Sequence, residues 1–212
     1  MCRLGSRRRL FVMQYVPGIP IEPSCAPLLL QHPEIMDGIG QWLAYDMLIN
    51  NFDRLPLIWN NDGNCGNLLF DSNGHVYGID QRATAIVSNM LEQYLERIHH
   101  MIARCRVWSR ASDDELAREQ ESHPALIRVS HFFRVYGGFV LSAAQMRALS
   151  AGVVRGCEEL VRVATDQLLE RSLQRARTEL DIEPTGTDLQ SAHELVLAAR
   201  AAMRDALAQR DE

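Results

Sequence analysis

The 212-residue chain, 47% hydrophobic and 23% charged, is long enough to bury one sizeable core and too apolar to be disordered. Its net charge of −5 argues against a nucleic-acid binder despite Arg3, Arg7, Arg8 and Arg9. No apolar run approaches the roughly 18 residues of a membrane span, and the apolar stretch after those arginines is broken by Gln14, Tyr15, Pro17 and Gly18, unlike a signal peptide.

Five cysteines, odd in number, widely spaced and without a C-x-x-C pair, point to a reduced, cytoplasmic protein. All 22 basic residues are arginine, so the chain contains no lysine.

In chain order, residues 10–18 read as a short buried strand, apolar and β-branched, stopped by Pro17-Gly18. Residues 20–33 carry four prolines and read as an irregular connection, with Pro33 suited to the first position of a helix. Ile35, Ile39, Trp42 and Leu43 then recur at helical spacing, and this helix is expected to end near Asn50. Residues 67–71 and 75–80 form a hairpin around Ser72-Asn73-Gly74. Helices follow: Leu91, Leu95, Ile98 and Ile102 mark one, and Ser112-x-x-Glu115 and Ser142-x-x-Gln145 are capping boxes. Val153–Leu180 reads as one long helix, broken by Glu183-Pro184-Thr185-Gly186, after which Thr187-x-x-Gln190 caps a last amphipathic helix. The expected organisation is a lobe over residues 1–180 and a C-terminal amphipathic helix over 187–210. The fold class is α+β, mainly helical with a first strand and a small β-hairpin, and this order of elements is that of a protein-kinase C-terminal lobe.

The chemistry gathers between Asn50 and Asp80. Phosphoryl transfer needs a carboxylate to orient the acceptor hydroxyl and take its proton, and an Asn and a second Asp to hold divalent ions against the nucleotide phosphates. Asp53, at the exit of a helix and followed by Arg54, suits the first role; Asn67 and Asp80, on the two arms of the hairpin, suit the others. Asp62 competes with Asp53, because Asp62-Gly-Asn-Cys-Gly-Asn67 has the D-x-x-x-x-N spacing of kinases. It sits, however, in an Asn-Asp-Gly turn where Asp is common for geometric reasons.

The run from Trp42 through Asn50-Asn-Phe-Asp-Arg-Leu-Pro56 and Gly66-Asn-Leu-Leu-Phe-Asp71 to Val76-Tyr-Gly-Ile-Asp-Gln81 resembles the catalytic domain of the actin-fragmin kinase family, an atypical protein-kinase group. The resemblance covers roughly residues 10–90. It implies Asp53 as the catalytic Asp, Asn67 and Asp80 as metal ligands, ATP with Mg2+ or Mn2+ as cofactors, and a protein Ser/Thr acceptor, actin being the family's substrate. Gln81-Arg82 stands where kinases carry Phe-Gly. Phe11-Val-Met-Gln-Tyr-Val-Pro-Gly18 is similar to the kinase hinge that receives adenine. On that analogy Met13 is the gatekeeper, and the Gln14 carbonyl and Val16 N–H are the backbone partners of the base.

No G-x-G-x-x-G loop is present and no lysine can grip phosphate; arginine, with its planar fork, makes different contacts. Fewer than ten residues precede the hinge-like strand, so the N-terminal lobe is expected to be largely absent. A shortened phosphotransferase, a lobe-only pseudokinase acting as a binding module, and a lobe completed by another chain are the alternatives, with a small-molecule kinase of the aminoglycoside type as a further enzymatic one. An EF-hand is excluded by Ile58 and Leu69 at the first-ligand positions. The histidines show no metal spacing, and there is no G-x-S-x-G.

Overall fold

The computed structural model describes residues 18–80, 84, 86, 88–179 and 186–209. Met13, Gln14 and Val16, and with them nearly all of the hinge-like strand, lie outside the described residues.

The protein is mostly helical with one small antiparallel sheet, an α+β arrangement. A two-residue strand β1 (Ile19–Pro20) is followed by a 3-10 turn at Pro23–Cys25, α1 (Ala26–Gln31) and α2 (Pro33–Ile49). The hairpin β2 (Leu68–Phe70) and β3 (Val76–Gly78) comes next. Six helices complete the order: α3 (Ser88–Trp108), α4 (Asp113–Ser122), α5 (Pro124–Tyr136), α6 (Ala143–Val163), α7 (Asp166–Glu179) and α8 (Gly186–Ala208).

In the sheet, β2 lies between β1 and β3, with Ile19 opposite Phe70 and Leu69 opposite Tyr77. The turn of the hairpin is closed by Asp71, whose Oδ1 accepts from the backbone N–H of Asn73 (2.9 Å) and of His75 (3.0 Å). Gly74 takes the left-handed φ of +82° that the turn requires. The hairpin is fastened to α2 by the Trp42 indole N–H, which donates to the Val76 carbonyl at 3.0 Å.

The core is built where α2 crosses α6. Ile35, Met36, Ile39, Leu43 and Met47 of α2 are buried against Met146, Leu149 and Val153 of α6. Small residues let the two backbones touch: a Cβ on Gly40 would stand 2.1 Å from the Leu149 carbonyl oxygen, and one on Gly152 would stand 2.1 Å from that of Asp37. Gly156 sits opposite Ala44 in the same way, so positions four apart on both helices are kept small. Helix α8 closes the bundle by burying Leu195, Ala199, Met203 and Ala206 against α3, α6 and α2.

Helix α2 starts at Pro33 and stops with Asn50 as its left-handed cap, as its sequence predicts. Ser112 with Glu115 and Ser142 with Gln145 form reciprocal capping boxes. Three boundaries differ from expectation. The proline-rich stretch 20–33 contains the 3-10 turn and α1, because prolines at first-turn positions leave no hydrogen bond unmade. The long helix expected over Val153–Leu180 is two helices, α6 ending at the non-helical Ala164 and α7 restarting at Asp166. The last helix begins at Gly186, so Thr187 falls inside it and not at its cap.

Candidate active site

The site is assembled at the C-terminal end of α2. Asp46, in the last turn, accepts through its backbone carbonyl from the N–H of Asn50 and of Asn51 (2.9 Å). The two asparagines then use their side chains to fix the loop that follows. The Asn51 amide donates to the Asp46 carboxylate at 3.2 Å, and its oxygen accepts from the Asp53 N–H at 3.3 Å. The Asn50 amide donates to the Thr84 carbonyl and accepts from the Trp59 indole, both at 2.9 Å. Trp59 in turn stacks on Tyr94 of α3, whose hydroxyl donates to the Met47 carbonyl. Burial pushes that phenol's pKa upward, so it stays a neutral donor.

Arg54 lies beneath the loop with no solvent exposure. Its Nη1 pairs with the Asp46 carboxylate, Nε donates to the Asn67 carbonyl at 3.1 Å, and Nη2 donates to the Ile79 carbonyl at 3.0 Å. The guanidinium also lies 5.4 Å from the Trp42 ring centroid. One buried cation thus ties α2 to both arms of the hairpin. Burial pushes the Asp46 carboxyl up to about 6, against the opposing pull of Arg54 and the Asn51 amide.

This scaffold brings Asp53 and Asn67 together. The buried Asn67 amide donates to Asp53 Oδ2 at 3.0 Å. Asn67 is itself held by a 3-10 turn, Cys65–Asn67, in which Asn64 Oδ1 accepts from the Gly66 N–H at 3.0 Å. Its backbone carbonyl accepts from the Ile79 N–H at 3.1 Å, one residue before Asp80. Among the described residues, the only non-glycine positions with positive φ are Asn50 (52°) and Asp80 (54°), at the two ends of this segment. Asp53 and Asp80 both face solvent.

Asp62 is placed elsewhere. It is exposed, has no hydrogen-bond partner among the described residues, and lies beside α5 on a separate groove. Sequence reasoning missed Asp46 and the structural part played by Arg54. The available signal was a carboxylate at a helical position neighbouring Leu43 and Met47 on a buried stripe, where an unpaired charge is costly.

The family model described as "Actin-fragmin kinase, catalytic" matches residues 7–104. Over that stretch the chain is similar to the actin-fragmin kinase catalytic family. The match spans β1, the whole Asn50–Asp80 segment and most of α3, and the family is one of kinase-like phosphotransferases. A comparison with curated proteins gave no match.

Kinases of this kind imply ATP and a divalent cation in general. Among the described residues no three His, Cys, Asp or Glu side chains cluster as a self-sufficient metal cage. The donors present nevertheless fit a hard cation held jointly with phosphate: Asn67 and Asp80 offer only oxygen. Mg2+ is commonly bound through one or two protein oxygens, with water and substrate phosphate completing its octahedron.

Proposed function

We propose that this chain is an ATP-dependent phosphotransferase whose Asp53, Asn67 and Asp80 form the acceptor-side and cation-holding half of a protein-kinase-like lobe. It transfers the γ-phosphoryl group to a Ser/Thr hydroxyl of a protein, actin being the candidate that the family name suggests. The supporting observation is the Asn67–Asp53 hydrogen bond, made on a loop and a hairpin that Arg54 locks together.

In this reading Asp53 Oδ2 is occupied by the Asn67 amide, which fixes the rotamer and leaves Oδ1 to take the acceptor hydroxyl's proton as the hydroxyl oxygen attacks the γ-phosphorus and ADP departs. The Asn67 amide nitrogen is committed to Asp53, so its oxygen is the atom left to offer a cation, with the Asp80 carboxylate as the second protein donor in this reading. A divalent ion, when bound, supplies neutralisation of the phosphate charge. The left-handed backbone at Asp80 turns the chain out of β3 at the point where its carboxylate is needed. Met13, Gln14 and Val16 are the adenine-side residues in this proposal, and a cytoplasmic setting accords with the cysteine pattern.

A second reading, a non-catalytic nucleotide- or partner-binding module, is favoured by one observation: no lysine is present to grip the phosphates. Metal-dependent ATP binding followed by titration calorimetry, together with γ-labelled ATP and actin, separates the two. The expected result is binding that Asp80→Ala abolishes and Asp53→Ala spares, with Asp53→Ala eliminating transfer. Binding without any transfer to actin or to a panel of protein and aminoglycoside acceptors favours the module; no metal-dependent ATP binding at all removes the enzyme.

A further inference from the structure

Beside the catalytic segment, a groove of about 410 Å³ runs between the loop at Asn60–Asp62 and the outer face of α5. It is joined to the site by hydrogen bonds. The Asn61 amide donates to the Phe52 carbonyl, one residue before Asp53, and Arg128 of α5 donates to the carbonyls of Pro56 (3.3 Å) and Leu57 (3.4 Å). Anything seated there is therefore positioned against the loop that carries Asp53.

The lining has two further properties. Ile127 and Val135 of α5 and Val140 just after it are exposed aliphatics, Val140 at 68%. Scattered exposed aliphatics need no explanation, but these three share one concave surface. Arg128 and Arg134 also line it, and among the described residues neither forms an ion pair; Arg128 meets only carbonyl oxygens, and Arg134 meets the His131 ring at 3.3 Å. The single carboxylate on the lining is Asp62. In a chain of net charge −5, this is a locally cationic, aliphatic groove.

We propose that this groove docks an acidic, aliphatic segment of the phosphoacceptor protein. Carboxylates would face Arg128 and Arg134, and aliphatic side chains would rest on Ile127, Val135 and Val140. The proposal rests on the phosphotransferase reading, since it names the substrate's docking sequence. Charge complementarity selects an acidic occupant. His131, Phe132 and Tyr136 also line the groove, but Phe132 is buried in the core and packs on Tyr136, so the exposed aliphatic anchors favour polypeptide over nucleic acid.

The test is a phage-displayed library of random dodecapeptides panned on the intact chain without nucleotide or metal, with the Arg134→Glu variant as counter-selection. Enrichment of Asp or Glu interleaved with Leu, Ile or Val is expected. A fluorescent peptide made from the enriched sequence should bind at least tenfold more weakly to Arg134→Glu and to Val135→Asp, two substitutions at exposed positions whose folding is checked by circular dichroism. Enrichment of basic peptides, enrichment of none over the counter-selection, or equal affinity for the variants would overturn the proposal. Nucleotide is absent from this readout, so failure of metal-dependent ATP binding counts against the phosphotransferase reading and is distinguishable from failure of the groove.

Discussion

Arg54 donates from Nε to the Asn67 carbonyl at 3.1 Å, so the residue that follows Asp53 holds the residue whose side chain Asp53 accepts from. The contact crosses thirteen positions of sequence and makes the loop and the hairpin one rigid unit, with Asp46 neutralising the cation from below. Rigid placement is the main contribution a protein makes to phosphoryl transfer.

Removing Arg54 strands the buried Asp46 carboxylate and frees two carbonyls at once. Arg54→Ala is expected to lower stability by about 3–5 kcal/mol, the usual cost of breaking a buried pair from one side. Urea unfolding followed by tryptophan fluorescence measures it. Arg54→Lys should recover only part of the loss, because an ammonium cannot reproduce the fork that meets Asp46, Asn67 and Ile79 together.

Asp46 gives the fold a pH signature of definite sign. Its carboxyl is pushed up to about 6 from an ordinary 3.8, so the folded state binds more protons than the unfolded chain between those values. Its contribution to stability is full below about pH 4 and is lost as pH rises through 6, a swing of about 3 kcal/mol. Asp46→Asn should remove this term: the difference in urea midpoint between wild type and variant is expected to change across pH 4–6 and to be flat above it. A constant difference across the whole range would contradict the assignment.

Asn67→Asp replaces the donor to Asp53 with a second carboxylate. Loss of the hydrogen bond and the new repulsion should cost about 1–3 kcal/mol at neutral pH. Millimolar Mg2+ should restore melting temperature to the variant more than to wild type, read by differential scanning calorimetry without any assay of turnover.

Gly152→Ala tests the contact between α2 and α6. The added methyl would meet the Asp37 carbonyl oxygen at 2.1 Å, a backbone atom with no rotamer to change. Overpacking of about 1–3 kcal/mol is expected to exceed the gain in helix propensity of about 1 kcal/mol. A thermal midpoint equal to or above wild type would show that the helices can separate cheaply.

Features legible in the sequence share a local origin. The start of α2 at Pro33, its stop at Asn50, the capping boxes at Ser112 and Ser142 and the Ser72-Asn73-Gly74 turn are each specified within a few residues by backbone geometry and side-chain capping. The break at Ala164–Thr165 carries no Gly or Pro to announce it, and α1 hides among prolines that compositional reasoning assigns to irregular chain.

By itself, the sequence determined that the chain is α+β, mostly helical, with Asp53, Asn67 and Asp80 strung along one segment, and its motifs led to the same family that the family model matches over residues 7–104. Only the tertiary structure decided which carboxylate Asn67 touches. Asp62 has the better spacing, yet the amide reaches Asp53, because a buried Arg54 anchored on Asp46 draws the loop after α2 under the hairpin while Asp62 stays out beside α5. Spacing counts residues along the chain, whereas a buried cation must be satisfied by whatever acceptors the fold can bring to it, and that requirement closed the site.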